Sequence, residues 1–171
     1  EVHCLAFFEN LHDLEVFQGY LDKNLPDIKN DPLIFGDQVV VNEEEDIIHT
    51  EEKLLINATE ISIGELEAFV HERGGLFIPA HIDRLKNSVY SQLGFLPPDL
   101  NADALEISRR STPEEFRRIH PEIKVYPLLT NSDAHYPEAV GAAFNLLEME
   151  ELSFGEIKMA VKGINGRRIK E

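Results

Sequence analysis

An Asp and a His stand two residues apart in the segment LLTNSDAHYPEAVG, which runs from Leu128 to Gly141. In an extended segment, side chains two residues apart point to the same side, so Asp133 and His135 can converge on one object. Carboxylate oxygen and imidazole nitrogen are both ligands of first-row metal ions. A Ser-Asp pair is equally typical of turns and helix caps, in which the Asp accepts hydrogen bonds from nearby backbone N–H groups. The pair alone leaves a metal site and a cap open.

Two further histidines stand in a similar context. The segment GGLFIPAHIDR, Gly74 to Arg84, is a short apolar run that ends in His81. His3 lies within an earlier strand pattern, EVHCLAFF. Because the carboxyl ends of parallel strands meet at one edge of a sheet or barrel, we expect His81, Asp133 and His135 to lie together there, with His3 facing the same cavity.

The elements that would position these residues alternate between strands and helices. Apolar residues at Leu14, Phe17 and Leu21 are spaced for one helix face. Ser62 with Glu65 is a capping-box pattern that opens a second helix. Further strands are predicted over residues 76–80, 103–107, 125–129 and 143–147, and further helices begin at Thr112 and Ser153. This alternation is typical of βα units around a parallel sheet, so the predicted fold class is α/β.

Composition limits the function classes. The length of 171 residues fits one domain. The formal charge of -16, from 32 acidic and 16 basic residues, repels polyanions, so a basic nucleic-acid surface is not expected. A small anionic substrate stays open if bound metal ions supply positive charge. The single cysteine, Cys4, and the lack of a signal-peptide or membrane-spanning pattern predict a cytoplasmic protein.

The segments EVHCLAFF, GGLFIPAHIDR and LLTNSDAHYPEAVG resemble the second, third and fourth motifs of the PHP family, the polymerase and histidinol phosphatase metal-dependent phosphoesterases. The resemblance implies a distorted seven-stranded (β/α) barrel whose strand ends hold up to three divalent ions of zinc, manganese or iron. It implies that His3 and His81 are co-ligands of one ion, and that Asp133 and His135 are ligands of two others. Such ions polarise a phosphate and lower the pKa of a bound water, which then attacks as hydroxide near neutral pH.

The sequence departs from the family pattern at its start. The first motif, His-x-His, and a bridging Glu upstream of the second-motif His are not present, and Glu1 is a poor stand-in for that Glu. We therefore expect residues 1–171 to be a single PHP-like domain that lacks its N-terminal strands, a partial distorted (β/α)7 barrel with parallel strands and outer helices. An insertion with a hairpin is predicted at about residues 26–60. Exposed strand edges would be covered by another copy, a missing segment or a loop.

Three arginines follow predicted strand ends. Arg84 comes shortly after His81, and Arg109 with Arg110 comes directly after the strand that ends at Ile107. Guanidinium groups at the rim of the metal site would hold a phosphate by bidentate hydrogen bonds, whereas the alternative is that these are ordinary surface arginines. Glu106 at the same strand end is a candidate for orienting a ligand or a lysine. We expect His71, His120 and the other histidines to be surface residues, and the segment GRRIK to be an exposed tail.

Three functions are consistent with these patterns. The first is a metal-dependent phosphoesterase that hydrolyses a small phosphorylated metabolite or a nucleotide. The second is a PHP-like structural or regulatory module without catalytic activity. The third is a metallohydrolase of C–N bonds on a related barrel. Because the ligand set is incomplete, we expect this chain alone to hydrolyse phosphate esters poorly or not at all.

Overall fold

The structure is a computed structural model that describes residues 1–170. Its strands are β1 (Cys4–Phe7), β2 (Val39–Val41), β3 (Ile47–Thr50), β4 (Leu76–Pro79), β5 (Leu105–Ile107), β6 (Leu128–Thr130), β7 (Leu146–Glu148) and β8 (Arg168–Lys170). Its α-helices are α1 (Leu11–Asn24), α2 (Pro32–Phe35), α3 (Ile63–Glu72), α4 (Val89–Leu93), α5 (Pro113–Ile119) and α6 (Phe154–Lys162). Two 3-10 turns cover Pro121–Val125 and Pro137–Ala139. The predicted α/β class is confirmed.

The centre of the fold is formed by β4, β5 and β6. Leu76, Phe77 and Ile78 on β4 are almost fully buried, with Phe77 in one apolar cluster and its two neighbours in another. Successive residues of a strand face opposite sides, so β4 is covered on both faces. A continuous apolar run such as LFIP is the pattern that such a doubly covered strand requires.

These three strands run in the same direction. β5 and β6 pair in parallel, with Glu106 opposite Leu129. Between β4 and β5, the Asp103 N–H donates to the Phe77 carbonyl and the Ile82 N–H donates to the Glu106 carbonyl. Because residue numbers rise together along both segments, β4 is parallel to β5. The carboxyl ends of β4, β5 and β6 therefore share one edge.

The prediction of parallel strands throughout is wrong for β1 and for β7, which pairs with β8 in antiparallel register. β1 pairs with β4 in antiparallel register, with Cys4 opposite Pro79 and Phe7 opposite Leu76. An apolar strand pattern specifies which faces are buried but not the strand direction, since alternate residues present the same faces in either orientation. The sheets are two-stranded and do not close, so a complete (β/α)7 barrel is not present in the described part of the chain.

Residues 12–62 form a second compact unit, whereas residues 1–11 group with the chain from residue 63 onward. Within the second unit, β2 and β3 form an antiparallel hairpin whose register shifts between Val40 and Val41. The predicted insertion at about residues 26–60 falls inside this unit. The acidic segment 43–46 is exposed, as expected for a solvated loop.

Candidate functional site

His81 lies directly beyond β4 and is 5% exposed. Its backbone has a φ of 32°, a left-handed conformation that non-glycine residues adopt rarely and that costs about 1–3 kcal/mol. The backbone N–H of His81 donates to the Glu106 carboxylate at 3.2 Å, which ties the ends of β4 and β5 together. The Nδ1 atom of His81 is buried and has no hydrogen-bond partner among the described residues. A buried polar atom without a partner is rare, and such atoms occur at catalytic sites and where a water or an ion binds.

His3 meets His81 across the β1–β4 pair. The His3 N–H donates to the Asn87 carbonyl and the His3 carbonyl accepts from Ala80, each at 2.9 Å, which fixes the backbone that carries the ring. The His3 Nδ1 and His81 Nε2 atoms are 3.2 Å apart. As a hydrogen bond, the pair requires one N–H, whereas both lone pairs are free to bind a cation when both atoms are unprotonated.

The geometry of this imidazole pair fits two ligands of one metal ion. Two nitrogens at roughly 2.0–2.1 Å from a tetrahedral zinc lie about 3.3 Å apart, close to the separation found here. Glu1 accepts from the other ring nitrogen, His3 Nε2, at 3.3 Å. A carboxylate on the far nitrogen of a ligating histidine fixes its tautomer and orientation. Glu1 thus stands as an orienting group for His3.

Asp133 and His135 lie in the loop beyond β6. Asp133 has a φ of 47°, so the exits of β4 and β6 each place a candidate ligand in the left-handed region. The Asp133 Oδ2 atom accepts from Arg84 Nη1 at 2.7 Å, and its Oδ1 atom lies 3.8 Å from His135 Nε2. The His135 side chain is 76% exposed. This loop is anchored by Asn145, which exchanges hydrogen bonds with both backbone groups of Thr130.

One cleft of about 220 Å³ brings most of the predicted residues together. It is lined by the candidate ligands and the three candidate phosphate-binding arginines, together with other polar residues: His81, Asp133, His135, Arg84, Arg109, Arg110, Glu106, Ser108, Asn131 and Ser132. His3 does not line the cleft and reaches it through His81. Among residues 1–170, no group of three or more His, Cys, Asp or Glu side chains is arranged to hold a metal ion. The candidate metal ligands among the described residues are therefore the His3–His81 pair, together with Asp133 and His135 on the same cleft as His81.

Asp83 holds the arginine-bearing loop in place and was not singled out by the sequence. Its carboxylate accepts from the Ser108 N–H at 2.7 Å, from the Ser108 hydroxyl at 2.6 Å and from the Ser111 hydroxyl at 2.7 Å. Burial would raise the pKa of Asp83, but the hydrogen bonds from Ser108 and Ser111 outweigh it and leave the pKa below its ordinary value. Asp83 therefore connects the exit of β4 to the loop after β5. Its spacing of two from His81 was the only sequence signal for this role.

Comparison with known proteins places the chain beside endonucleases. No protein-family model matches it. The Bacillus subtilis (strain 168) protein YqxK, described as uncharacterized, is 29% identical over 173 residues, which cover 98% of this chain and 38% of YqxK. The lesion-specific endonuclease PfuEndoQ from Pyrococcus furiosus superimposes with a TM-score of 0.71 and 25% identity over 98% of this chain and 37% of that one. The chain thus spans well under half the length of these proteins.

A second endonuclease Q structure corrects the prediction about partners. It is a complex with a 27-mer duplex substrate that carries an abasic lesion at the active site, and it matches with a TM-score of 0.65 and 23% identity over 98% of this chain and 38% of that one. The prediction of a small phosphorylated molecule or nucleotide as substrate, with no basic nucleic-acid surface, is therefore contradicted, since that enzyme binds a duplex DNA substrate. The physical reason is that net charge does not fix the local field, because exposed charges act mainly within a Debye length of about 10 Å and three arginines lie on one cleft.

Among the described residues, no helix combines the length and the apolar character that crossing a membrane requires.

Proposed function

We propose that this chain carries part of the active site of a metal-dependent DNA endonuclease of PHP type, which hydrolyses a phosphodiester at a lesion. The observation that supports the proposal most strongly is the cleft at the carboxyl ends of the parallel strands, which is lined by three arginines and by the buried His81, the partner of the exposed His3. The similarity to a lesion-specific endonuclease supports DNA as the substrate class.

In this proposal, Arg109 and Arg110 bind the phosphate backbone. Both are exposed at the cleft, and a guanidinium group matches two phosphate oxygens with parallel N–H donors. Arg84 is engaged by Asp133, so it contributes to the phosphate only as part of that ion pair. These groups position the scissile phosphate without reading the base sequence.

His3 and His81 hold a divalent ion in the same proposal. Zinc, manganese and iron all accept imidazole nitrogen, and such an ion supplies Lewis acidity and an activated water. Glu1 and Glu106 orient the pair, the first through the His3 ring and the second through the His81 backbone. Asp133 and His135 are proposed to serve further ions.

The remaining ligands are proposed to come from polypeptide outside this chain. The support is that two imidazoles fall short of the three protein ligands that hold a catalytic zinc. The comparison proteins are also more than twice as long as this chain. On this proposal the chain alone binds metal weakly, and a product extended upstream to include the His-x-His and Glu motifs binds it tightly. Elemental analysis of both products after dialysis measures the difference, and equal metal content contradicts the proposal.

The DNA proposal is tested by the salt dependence of binding. We expect the chain to bind a duplex with an abasic site, and the double variant Arg109→Ala, Arg110→Ala to bind it more weakly. Each lost phosphate contact makes the slope of log affinity against log salt concentration shallower by about 1. Arg168→Ala, on β8, is the matched control with the wild-type slope. If the double variant and the control give the same slope, the cleft does not bind the backbone.

A second candidate is the non-catalytic PHP-like module. It is favoured by the absence, within residues 1–170, of any group of three or more metal-ligand side chains. The extended product separates the two candidates, because the endonuclease nicks DNA with added manganese or zinc and the module does not.

A further inference from the structure

A second cavity of about 220 Å³ shares Arg84 with the cleft described above. Its lining includes Arg84, Leu85, Tyr90, Ser91, Phe116 and His120. Because Arg84 lines both cavities, they are neighbours that share one side chain. The functional proposal above does not use this second cavity.

The cavity is lined by three rings in mutual contact. The His120 ring lies 4.5 Å from Tyr90 and 4.5 Å from Phe116, centroid to centroid, with interplanar angles of 37° and 33°. Phe116 is buried in the core and anchors the group, whereas Tyr90 and His120 are half-buried. The three rings therefore form a stacking surface that is fixed by Phe116 and accessible at Tyr90 and His120.

One carboxylate fixes the two outer rings. The Oε1 atom of Glu122 accepts from the Tyr90 hydroxyl at 2.7 Å and pairs with His120 Nδ1 at 3.0 Å. Since a carboxylate oxygen only accepts, His120 carries its proton on Nδ1. The hydrogen bond from Tyr90 is the main reason that the pKa of Glu122 lies below its ordinary value. Solubility alone does not require two rings to be held in fixed orientation, so the contacts of Glu122 with Tyr90 and His120 suggest a role in binding.

We propose that this cavity is a nucleobase subsite, which stacks the base of a nucleotide whose phosphate lies in the neighbouring cleft. The proposal rests on the proposed DNA function and adds to it the part of the substrate that this face binds. Aromatic rings, His and Arg planes are the groups on which proteins stack bases, and a base lies one sugar away from its own phosphate. Leu85, which is 94% exposed at the cavity edge, gives the base an apolar side wall.

The alternative is that the rings only pack α4 against α5. The two cases differ in their response to the base itself. A stacked base contributes to DNA affinity and is lost at an abasic residue, whereas a purely structural ring cluster is indifferent to it. Stacking on one aromatic platform corresponds to roughly a ten- to hundredfold difference in affinity.

The experiment compares two short single-stranded oligonucleotides, one with 2-aminopurine at a central position and one with a reduced abasic residue there. We expect the wild-type protein to bind the first more tightly and to quench its fluorescence. Tyr90→Leu and His120→Ala should each reduce this preference and the quenching, while Tyr90→Phe, which keeps the ring, retains most of both. Tyr20→Leu, in the separate unit of residues 12–62, is the matched control for the substitution. Thermal unfolding of each variant identifies any that fails to fold.

Each outcome separates the base subsite from the DNA function. Equal wild-type affinity for the two oligonucleotides, with Arg109→Ala weakening both, overturns the subsite and leaves the DNA function standing. A wild-type preference that folded Tyr90→Leu and His120→Ala both retain also overturns it. Failure of the wild type to bind either oligonucleotide overturns the subsite, whereas the duplex titration described above decides the DNA function. Loss of the preference in either folded ring variant supports the subsite, even when the other variant does not fold.

Discussion

Asp83 shows how a single carboxylate can position the residues of a site without lining the cleft itself. It receives three hydrogen bonds from Ser108 and Ser111, on either side of Arg109 and Arg110. The arginine side chains are exposed, so the order of their loop depends on its backbone and on these serines. The position of the loop that carries Arg109 and Arg110 therefore depends on its hydrogen bonds to Asp83.

The variant Asp83→Asn tests this role. An amide at this position loses the charge and retains at most one suitable acceptor oxygen, so the free energy of unfolding should fall by about 2 kcal/mol. Affinity for the abasic duplex should fall as well, because the arginines lose their fixed positions. Chemical denaturation and duplex titration measure the two effects, with Asp27→Asn on the separate unit as a near-neutral control. Unchanged duplex affinity in a destabilised Asp83→Asn would show that the clamp serves stability alone.

At the scale of elements, β4 is positioned by the tight turn between α3 and the strand. Gly75 packs so closely that an added Cβ would lie 2.7 Å from the Phe7 carbonyl oxygen and 2.7 Å from a Val70 methyl group. The backbone of β1 therefore approaches β4 at a point where only hydrogen fits. This contact sets the β1–β4 pair that brings His3 to His81.

Substitution of Gly75 by Ala should destabilise the protein. Overpacking against backbone atoms costs about 1–3 kcal/mol, and the strain falls on the strand pair that carries the two histidines. Gly64→Ala on α3, where no atom lies within 4 Å of an added Cβ, is the matched control and should not destabilise. Urea denaturation of both variants measures the difference. Equal stability of Gly75→Ala and Gly64→Ala would mean that β1 is not held tightly against β4.

The elements were predicted from sequence where local chemistry decides them. Thr112 and Ser153 cap α5 and α6 as expected, by accepting from the N–H groups of Glu115 and Glu156. The strand predicted over 125–129 instead begins at Leu128, because Pro121–Val125 forms a 3-10 turn. The predicted exposed tail GRRIK contains β8, which pairs with β7. Directly before β8, Arg167 forms ion pairs with Glu156 and Glu150, which no local pattern reveals.

The candidate site was predictable to a similar degree. Polar residues at the ends of apolar strands indicate a shared edge, and the cleft does contain His81, Asp133, His135 and the three arginines. The left-handed backbone at His81 and Asp133 carries no sequence signal, since neither is glycine. The ion pair between Asp133 and Arg84 was not predicted either. The sequence suggested a metal ion as the partner of Asp133 and a phosphate as the partner of Arg84. Tertiary contacts decide these features, and they are not encoded in spacing.

At the scale of the whole molecule, a cluster around the buried Asp103 at the amino end of β5 contributes pH-dependent stability. Asp103, whose side chain is 3% exposed, accepts from Lys162 at 2.8 Å, from His71 at 2.9 Å and from the Phe77 N–H at 2.8 Å. His71 was expected to be a plain surface residue, and this contact corrects that expectation. Burial would raise the pKa of Asp103, but the hydrogen bonds from Lys162, Phe77 and His71 lower it below its ordinary value of 3.8.

This lowered pKa predicts the direction of acid destabilisation. A carboxyl whose pKa is lower in the folded state stabilises the fold above its unfolded pKa, and that stability is lost as the pH falls through the folded pKa. We expect the Asp103 contribution to be complete above about pH 5 and to decline below it. Asp103→Asn should lose about 2 kcal/mol at neutral pH, because the amide replaces a buried carboxylate that accepts three hydrogen bonds, and should show a shallower acid dependence. Denaturation between acidic and neutral pH tests this, and an acid slope equal to that of the wild type would contradict it.

The central claim is that the His3–His81 pair serves metal-dependent cleavage of DNA, and nicking of a duplex with an abasic site tests it most directly. The measurement uses the longer polypeptide that the proposed function requires, with added manganese or zinc, and compares the wild type with His81→Asn and His49→Asn. His49 lies on β3 in the separate unit and is the matched control. We predict that the wild type and His49→Asn nick the duplex at equal rates and that folded His81→Asn nicks it at least about a hundredfold more slowly. A folded His81→Asn that nicks at the wild-type rate would contradict the account.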